Sequence, residues 1–332
     1  MLNHNGKIYQ DKNTLLFSAQ NRAFSYADAL FETIRIVKFI KQNTKQNTIN
    51  YSIPLWNYHF ERLSKGMQAF GYDKLESDFL KNEILKMTTL TIPINESKEN
   101  LIMDFKARLT VFRSEGGLYT PTTSQVEFVI VLQEIEKLKY LGKSFENTNF
   151  DTITLGNLEK LQKSYVFFDE LPLFPSRFSA FKKIDALPYI LAGKYKKEQN
   201  AEEVFLINSN GKIAEAGAAN VFILDKKLSK PKNNQLHFIT PPLSEGSVMG
   251  TMRNFVIENK NKYKNNTKDN FNITFQEKKI TKEELNQAEI IFTTNAIQSI
   301  QIIKITTQKQ VELMEKWINE VNCNLRFSVR RM

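Results

Sequence analysis

The sequence predicts an α+β fold built as two domains: a small N-terminal α/β domain over residues 1–136 and a larger, β-rich C-terminal domain with helices over residues 149–332. Strand-like runs alternate with amphipathic helical segments on both sides of residues 137–148, where the hydrophobic periodicity is lost. The chain has 332 residues, 41% of them hydrophobic, which is enough to bury two cores. We therefore interpret residues 137–148 as the interdomain linker.

Within the N-terminal domain, turn residues and hydrophobic periodicity predict two helices among several strands. In NGKIYQDKNTLLF, the pairs Asn5-Gly6 and Asp11-Lys12 interrupt short apolar runs, which predicts a strand, a turn and a strand. Apolar residues at helical spacing from Pro54 to Phe70 predict the first helix. The other predicted elements, in order, are a strand at 29–40, a hairpin insertion at 41–52, a second helix N-capped by Ser77, and strands at 107–113 and 126–135.

In the C-terminal domain, Asn210-Gly211 is the strongest local turn signal, because this dipeptide favours the positive φ angles of a tight hairpin. It predicts a pair of strands within residues 202–224. Pro188 predicts a helix that holds this proline in its first turn. The other predicted elements are a loop leading into a helix at 240–260, a short helix and two strands at 280–305, and a final amphipathic helix whose apolar face is Val311, Met314, Trp317, Ile318 and Val321.

The composition argues against several kinds of chemistry. Three histidines and a single cysteine, Cys323, argue against a His/Cys zinc site, and we predict no metal centre. The sequence contains no phosphate-binding P-loop motif, no dinucleotide-binding glycine motif and no G-x-S-x-G nucleophile elbow. Lysine is the covalent nucleophile that remains in supply.

Composition also predicts a cytoplasmic protein without membrane or nucleic-acid partners. One cysteine excludes an internal disulfide framework and fits a reducing compartment. The N-terminal stretch MLNHNGKIYQ is too polar for a signal peptide, and no apolar run approaches the roughly 20 residues that span a bilayer. Much of the net charge of +10 lies in Lys/Asn-rich stretches such as 259–270, which lack interleaved aromatic residues. We therefore expect an anionic small ligand and not a nucleic acid.

Three pieces of the second half fit together chemically. A lysine pair, Lys182 and Lys183, comes just before the helix that contains Pro188. Glu215 follows the Asn-Gly turn among small residues, where a carboxylate can approach a positive partner closely. The loop TPPLSEGSVMGTMR leads into a helix, whose free N–H groups and positive end can hold a phosphate. An amine, an anionic partner and a phosphate cradle are what pyridoxal 5′-phosphate requires of a protein.

In this combination the sequence resembles the class IV (fold type IV) pyridoxal-phosphate enzymes, which include branched-chain and D-amino acid aminotransferases and aminodeoxychorismate lyase. The resemblance runs nearly from end to end and implies the two-domain fold of D-amino acid aminotransferase. Seven fragments carry it in the family's order: NRAFSYADALFETIRI, HFERL, RLTVFRSEGGLYTP, FKKIDALPYILA, GKIAEAGAANVFIL, TPPLSEGSVMGTMR and FTTNAIQSI.

The resemblance implies a role for each matching residue. Lys182 would form the Schiff base with the cofactor and later move the Cα proton as a general acid/base, with Lys183 as its neighbour. Glu215 would pair with the protonated pyridine nitrogen and raise its pKa. The phosphate would be held by Arg62, by backbone amides near Gly250, Thr251 and Met252, and by those near Asn295, Ala296 and Ile297.

The resemblance also implies residues that bind the substrate. Arg113 is the first candidate for the substrate carboxylate, because it lies at a strand end beside the Gly116-Gly117 turn, and Arg108 is the second. These two arginines differ in parity along one strand, so they should face opposite sides unless a bulge intervenes. Phe31 is a candidate for lining the substrate pocket.

The sequence departs from the family pattern at several positions. Where the family has Y-G-D-G, this chain has Tyr26-Ala27-Asp28-Ala29, although glycines there often adopt conformations that a Cβ disfavours. The other departures are Asp185 for an asparagine, Gly217 and Ala219 for hydroxyl residues, Met252 for a phosphate-loop threonine, and Leu187 for the tyrosine of branched-chain aminotransferases. Leu187 argues against the branched-chain subgroup and favours the lyases or the D-amino acid enzymes.

The resemblance therefore implies an aminotransferase that acts on an amino acid and a 2-oxo acid, as a homodimer. Aminodeoxychorismate lyase, which releases pyruvate with the same lysine, is the alternative within the family. A third hypothesis is a catalytically inert binding module on the same fold, prompted by Ala27, Ala29, Asp185 and Met252.

Overall fold

The computed structural model describes residues 1–11, 17–41, 48–91, 101–135, 161–259 and 271–327. These residues divide into two compact units. Unit 1 comprises the described part of Met1–Phe150 together with Phe181–Asp185, and unit 2 comprises the described part of Asp151–Ala180 and Ala186–Phe327. The predicted linker at 137–148 lies outside the described residues, and so does most of the Lys/Asn-rich stretch at 259–270.

Unit 1 is a six-stranded antiparallel sheet with two long helices against one face. The elements of unit 1 are β1 (Leu2–His4), β2 (Lys7–Tyr9), α1 (Arg22–Tyr26), β3 (Ala29–Lys41), β4 (Thr48–Ser52), α2 (Trp56–Phe70), α3 (Ser77–Thr89), β5 (Leu101–Arg113) and β6 (Val126–Ile135). The strand order is β2-β1-β6-β5-β3-β4. The strands predicted at 29–40 and 126–135 and both helices are confirmed. Ser77 is not the N-cap of α3, because Glu76 holds that position and the Ser77 hydroxyl accepts a hydrogen bond from Trp56 Nε1 at 3.0 Å.

The two faces of β3 carry different residues, because successive side chains of a strand point to opposite sides. Leu30, Ile34 and Ile36 join the buried core that α2 and α3 complete. Phe31 lies on the opposite face, and the register of β3 with β5 places Arg108 diagonally across from it on that face. Arg108 and Arg113 are five residues apart on a strand with regular register, so their side chains point to opposite faces of the sheet, as predicted.

Residues 181–185 extend the sheet of unit 1, although the sequence boundaries assigned them to the C-terminal domain. The amide of Phe31 donates to the carbonyl of Lys182 at 2.8 Å, and the amide of Ile184 donates to the carbonyl of Ala29 at 3.3 Å. This pairing is available because β4 covers β3 only from Val37 onwards. Main-chain hydrogen bonds thus attach the candidate lysine to unit 1.

Unit 2 contains two sheets and four helices among its described residues. The elements of unit 2 are β7 (Leu161–Gln162), β8 (Tyr165–Leu173), α4 (Leu187–Glu198), β9 (Glu203–Asn208), β10 (Ile213–Ala216), β11 (Asn220–Leu224), β12 (Gln235–Thr240), α5 (Thr251–Glu258), β13 (Asn272–Glu277), α6 (Lys282–Gln287), β14 (Ile290–Asn295), β15 (Ser299–Ile305) and α7 (Gln308–Phe327). One sheet has the order β10-β9-β8, and the other has the order β13-β12-β11-β14-β15-β7.

The strand that was predicted after Asn210-Gly211 is in fact two strands of different sheets. β10 pairs with β9, whereas β11 pairs with β12 and β14. The chain turns between them because the Ala216 amide bonds to the Ala219 carbonyl and the Gly217 amide bonds to the Val204 carbonyl. The helix with Pro188 in its first turn is confirmed as α4.

The final helix packs as its sequence pattern predicts. All five residues of the predicted apolar face of α7, Val311, Met314, Trp317, Ile318 and Val321, are buried. The indole of Trp317 lies against aromatic rings of the sheet, including Phe238 at a centroid distance of 6.2 Å and Phe292 at 5.3 Å. Among the described residues, no helix is long and apolar enough to cross a membrane.

Candidate active site

The structure separates the two candidate lysines by their surroundings within unit 1. The ammonium of Lys182 lies 4.4 Å from the ring centroid of Phe31, and the guanidinium carbon of Arg108 lies 3.8 Å from the same centroid. The ammonium of Lys183 instead pairs with Asp185 at 2.8 Å. The negative charge that Asp185 adds to the family pattern is therefore balanced by Lys183. The structure brings Lys182, Phe31 and Arg108 together.

Arg113 does not join this group. Its guanidinium donates four hydrogen bonds inside unit 1: to Asp28 Oδ2 at 3.0 Å, to the carbonyls of Gly71 at 3.2 Å and Thr123 at 2.9 Å, and to the carbonyl of Phe70 at 2.7 Å. Four of its five N–H donors are thus used by the fold. Arg113 is not placed to hold a substrate carboxylate, which corrects the order of preference that the sequence suggested. Arg108 is the arginine beside Lys182.

We expect Arg113→Met to destabilise the fold without changing the affinity for cofactor. The substitution leaves three carbonyls without this donor and removes a buried cation from Asp28, so the free energy of unfolding should fall by about 3–5 kcal/mol. Urea unfolding measures this change, with Lys74→Met, an exposed cation of unit 1, as the matched control. A variant as stable as the wild type but with a raised KM would restore the substrate role of Arg113.

Ala27 keeps the glycine-type conformation of the family motif despite its Cβ. Its φ of 55° and ψ of 26° lie in the left-handed region, where it caps the C-terminus of α1. An L-residue pays about 1 kcal/mol or more for this conformation. Ala29 carries no such strain, because it is an ordinary buried residue at the start of β3. Of these two departures, Ala27 has a positive φ and Ala29 does not.

Arg62 belongs to a buried cluster with two residues that the sequence reasoning missed. Glu32 accepts from Arg62 Nε at 2.8 Å and Nη2 at 2.5 Å, and it also accepts from His59 Nδ1 at 2.6 Å. Each of the three side chains is at most 6% exposed. The signal was present in the fragment HFERL, because residues three apart on a helix share a face. Glu32 could not be connected to them without the packing of β3 against α2.

In unit 2, the carboxylate of Glu215 is buried and held by two donors. Glu215 is 3% exposed, and it accepts from the Tyr189 hydroxyl and, at 3.2 Å, from the Val248 amide. A bulge between Ile213 and Glu215 shifts the register of β10 on β9 and redirects the side chains there. Glu215 is therefore not a solvent-facing strand residue. No sequence signal pointed to Tyr189.

The N-terminus of α5 has the features of an anion site. No side chain caps the helix, and its first-turn N–H groups have no intrahelical acceptor although Thr251 and Met252 are buried. A Cβ at Gly250 would lie 1.8 Å from Asn220 Oδ1, so only glycine fits this approach. The side-chain Nδ2 of Asn220 also donates to the Val248 carbonyl at 2.9 Å, and this bond connects the loop before α5 to β11.

Two buried hydroxyl groups in the same part of unit 2 lack hydrogen-bond partners among the described residues. They belong to Ser247, in the loop before α5, and to Thr294, which lies directly opposite Asn220 in the sheet. Buried hydroxyls are usually bonded, so these two indicate a missing acceptor. An uncapped helix N-terminus and two unpartnered donors fit a phosphate group, and the buried carboxylate of Glu215 fits a protonated ring nitrogen. Pyridoxal phosphate is consistent with these residues.

Asn295 shapes the turn after β14 with its own side chain. Its Oδ1 accepts from the amides of Ile297 at 3.0 Å and Gln298 at 2.6 Å. The Ile297 amide, which the resemblance grouped with the phosphate ligands, is therefore used within the turn. The Ala296 amide stays a candidate ligand. A cavity of about 390 Å³ in unit 2 borders this turn and Tyr189.

Lys182, Arg62, Arg108 and Phe31 belong to unit 1, whereas Glu215, the N-terminus of α5 and the Asn295 turn belong to unit 2. Among the described residues, no group of three or more His, Cys, Asp or Glu side chains is arranged to hold a metal ion.

The comparisons with known proteins agree with the geometry. The family model described as Amino-transferase class IV matches residues 29–305 of this chain. No curated protein matches the sequence.

Solved structures show the same fold at low sequence identity. A branched-chain aminotransferase from Thermoproteus uzoniensis with norvaline has a TM-score of 0.69 at 18% identity, over 99% of this chain and 95% of that chain. A 4-amino-4-deoxychorismate lyase from Pseudomonas aeruginosa has a TM-score of 0.63 at 16% identity, over 99% of both chains. A hypothetical aminotransferase from Mycobacterium tuberculosis in a PLP-bound form has a TM-score of 0.66 at 13% identity, over 99% of this chain and 100% of that chain. These likenesses confirm the predicted α+β, two-domain fold.

Proposed function

We propose, because the chain belongs to the class IV aminotransferase family, that it is a pyridoxal-phosphate-dependent enzyme that moves an amino group between an amino acid and a 2-oxo acid. The observation that supports this proposal most is the position of Lys182, whose amine lies against Phe31 and beside Arg108. The candidate nucleophile and a cation that can bind a carboxylate thus contact the same aromatic ring.

Each candidate residue then has a defined task. When bound, pyridoxal phosphate supplies an aldehyde that condenses with amines and a ring that accepts the electron pair of the substrate Cα. Lys182 would hold the cofactor through its amine and would act as the general acid/base for the Cα proton. The negative charge of Glu215 would favour a protonated ring nitrogen, and the hydrogen bonds from the Tyr189 hydroxyl and the Val248 amide fix the direction of the carboxylate.

The anionic groups of cofactor and substrate have separate partners. Arg62 is the candidate phosphate ligand of unit 1, and the first-turn amides of α5 and the Ala296 amide are the candidate phosphate ligands of unit 2. Arg108, whose guanidinium lies over the Phe31 ring, binds the substrate carboxylate in place of Arg113, the first candidate that the resemblance implied. We further propose that the protein acts in the cytoplasm as a homodimer on small-molecule substrates, without nucleic-acid or membrane partners.

A substrate panel tests this function. The purified protein with added pyridoxal phosphate is offered D- and L-amino acids with a 2-oxo acid, and separately 4-amino-4-deoxychorismate. We expect formation of a new amino acid from the 2-oxo acid. Release of pyruvate from 4-amino-4-deoxychorismate alone would instead assign the lyase reaction to the same lysine. A protein that binds the cofactor but turns over neither class would be the inert binding module.

A further inference from the structure

The buried cluster of unit 1 combines the carboxylate of Glu32, the guanidinium of Arg62 and the imidazole of His59. Glu32 lies on the face of β3 that packs against α2, and His59 and Arg62 face it from that helix. Both oxygens of Glu32 are used: Oε1 by Arg62 Nε, and Oε2 by Arg62 Nη2 and His59 Nδ1. Two parallel bonds along one edge of a guanidinium fix both its plane and its direction.

The charges in the cluster are set by the same contacts. Burial alone would raise the pKa of Glu32, but the Arg62 guanidinium and the hydrogen bonds from Arg62 and His59 outweigh burial and lower the pKa to about 2. Because the carboxylate is ionised, His59 Nδ1 must donate the hydrogen to it. Burial, with the charges of Arg62 and Lys182, lowers the pKa of His59 against the opposing effect of Glu32. His59 is therefore neutral and donates a hydrogen bond without adding a second cation.

We propose that Glu32 and His59 are positioning residues that hold the guanidinium of Arg62 in the orientation in which it binds the cofactor phosphate. This inference rests on the proposed function, in which Arg62 is a phosphate ligand. An arginine side chain has four rotatable bonds, and ordering it at the moment of binding costs free energy that a preformed pair removes. His59 holds the shared oxygen of Glu32, so the pair cannot rotate as a unit.

A role in charge balance alone predicts the opposite effect on affinity. Glu32 carries a negative charge close to the proposed phosphate, and by Coulomb's law it repels the dianion. If Glu32 served only to neutralise Arg62, its removal would leave phosphate binding unchanged or tighter. If Glu32 positions Arg62, its removal weakens phosphate binding in spite of the lost repulsion. The sign of the change in affinity therefore separates the two roles.

The test compares pyridoxal phosphate with pyridoxal, which lacks the phosphate. Dissociation constants of both are measured by absorbance titration for the wild type, for Glu32→Gln and for the control Glu83→Gln. Glu83 is a buried carboxylate of the same unit that bonds Asn3 and Lys86. For Glu32→Gln we expect the dissociation constant of pyridoxal phosphate to rise on the order of tenfold, as when the partner that orients a metal ligand is removed. That of pyridoxal should stay unchanged, as should both constants in the control.

His59 variants keep the inference testable where Glu32→Gln does not fold. Asparagine keeps a side-chain N–H donor near Glu32 and should retain the selectivity for pyridoxal phosphate over pyridoxal, whereas His59→Ala should lose it. In an Arg62→Ala background, Glu32→Gln should have no further effect on either constant.

Three results would overturn the inference. They are an unchanged or tighter affinity for pyridoxal phosphate in Glu32→Gln, an equal loss of affinity for both cofactor forms, and equal behaviour of His59→Asn and His59→Ala. A wild-type protein that binds neither form would overturn the proposed function itself, and the inference with it. That outcome is recognised without any variant, so the two failures are distinguishable.

Discussion

Lys182→Ala is expected to abolish turnover, with a fall in kcat of about 10⁴-fold or more, because the variant loses both the amine that carries the cofactor and the group that moves the Cα proton. No other residue of the candidate site is expected to replace Lys182 in either role. Steady-state kinetics measures the loss. The absorption band of lysine-bound cofactor, at about 410–430 nm, should disappear with it.

Lys183→Ala is the matched control for this result. The ammonium of Lys183 is only one residue away along the chain, but it pairs with Asp185 and not with the group around Phe31. We expect this variant to keep the absorption band and to lose less than about tenfold in kcat, since a partly exposed ion pair contributes little. A band that survives in Lys182→Ala and disappears in Lys183→Ala would show that the wrong lysine has been chosen.

Glu215→Gln is the second change with a large expected effect, because it removes a charge and keeps the shape. Glutamine keeps one acceptor oxygen for the Val248 amide, and its NH2 group can donate to the Tyr189 hydroxyl oxygen, so the loop before α5 should stay in place. Without the carboxylate the ring nitrogen loses its proton, and the ring accepts the Cα electron pair less readily. We expect kcat to fall by about 10²- to 10³-fold, the size of the loss when one electrostatic partner is removed from an active site.

The control for Glu215→Gln is Glu289→Gln, which removes a carboxylate from the same unit. Glu289 bonds Lys226 and Gln310, neither of which belongs to β10 or α5. Its replacement should leave kcat within about twofold, because surface ion pairs are worth little. Equal losses in the two variants, or full activity in Glu215→Gln, would remove Glu215 from the mechanism.

The sequence predicted those parts of the fold whose signals are local. Alternating β-branched residues indicated β3, the helical spacing indicated α2 and α7, and the Asn-Gly turn placed Glu215 on a strand. The division of the predicted second strand into β10 and β11 was missed, because it depends on the Val204 carbonyl of a neighbouring strand. The pairing of residues 181–185 with β3 was also not predicted, since their partners on β3 lie about 150 residues earlier in the chain.

The residues of the candidate site likewise divide into those that the sequence indicated and those that only the structure revealed. The resemblance to the class IV family implied Lys182, and in the structure its amine lies against Phe31 whereas Lys183 pairs with Asp185. The order of Arg113 before Arg108 could not be corrected from the sequence, because the groups that engage Arg113, Asp28 and the carbonyl of Phe70, are distant in the chain. The link between Glu32 and Arg62 likewise depends on how a helix packs against a sheet. Contacts between distant segments decide which charged residues are available to a ligand.

A crystal structure of the protein with pyridoxal phosphate is the most direct measurement, because it examines the lysine and the acid on the same ring. We predict continuous density from Lys182 Nζ to the cofactor and a Glu215 oxygen at about 2.6–3.0 Å from the pyridine nitrogen. A cofactor attached to another lysine, or a ring nitrogen out of reach of Glu215, would contradict the central claim that these two side chains hold one coenzyme.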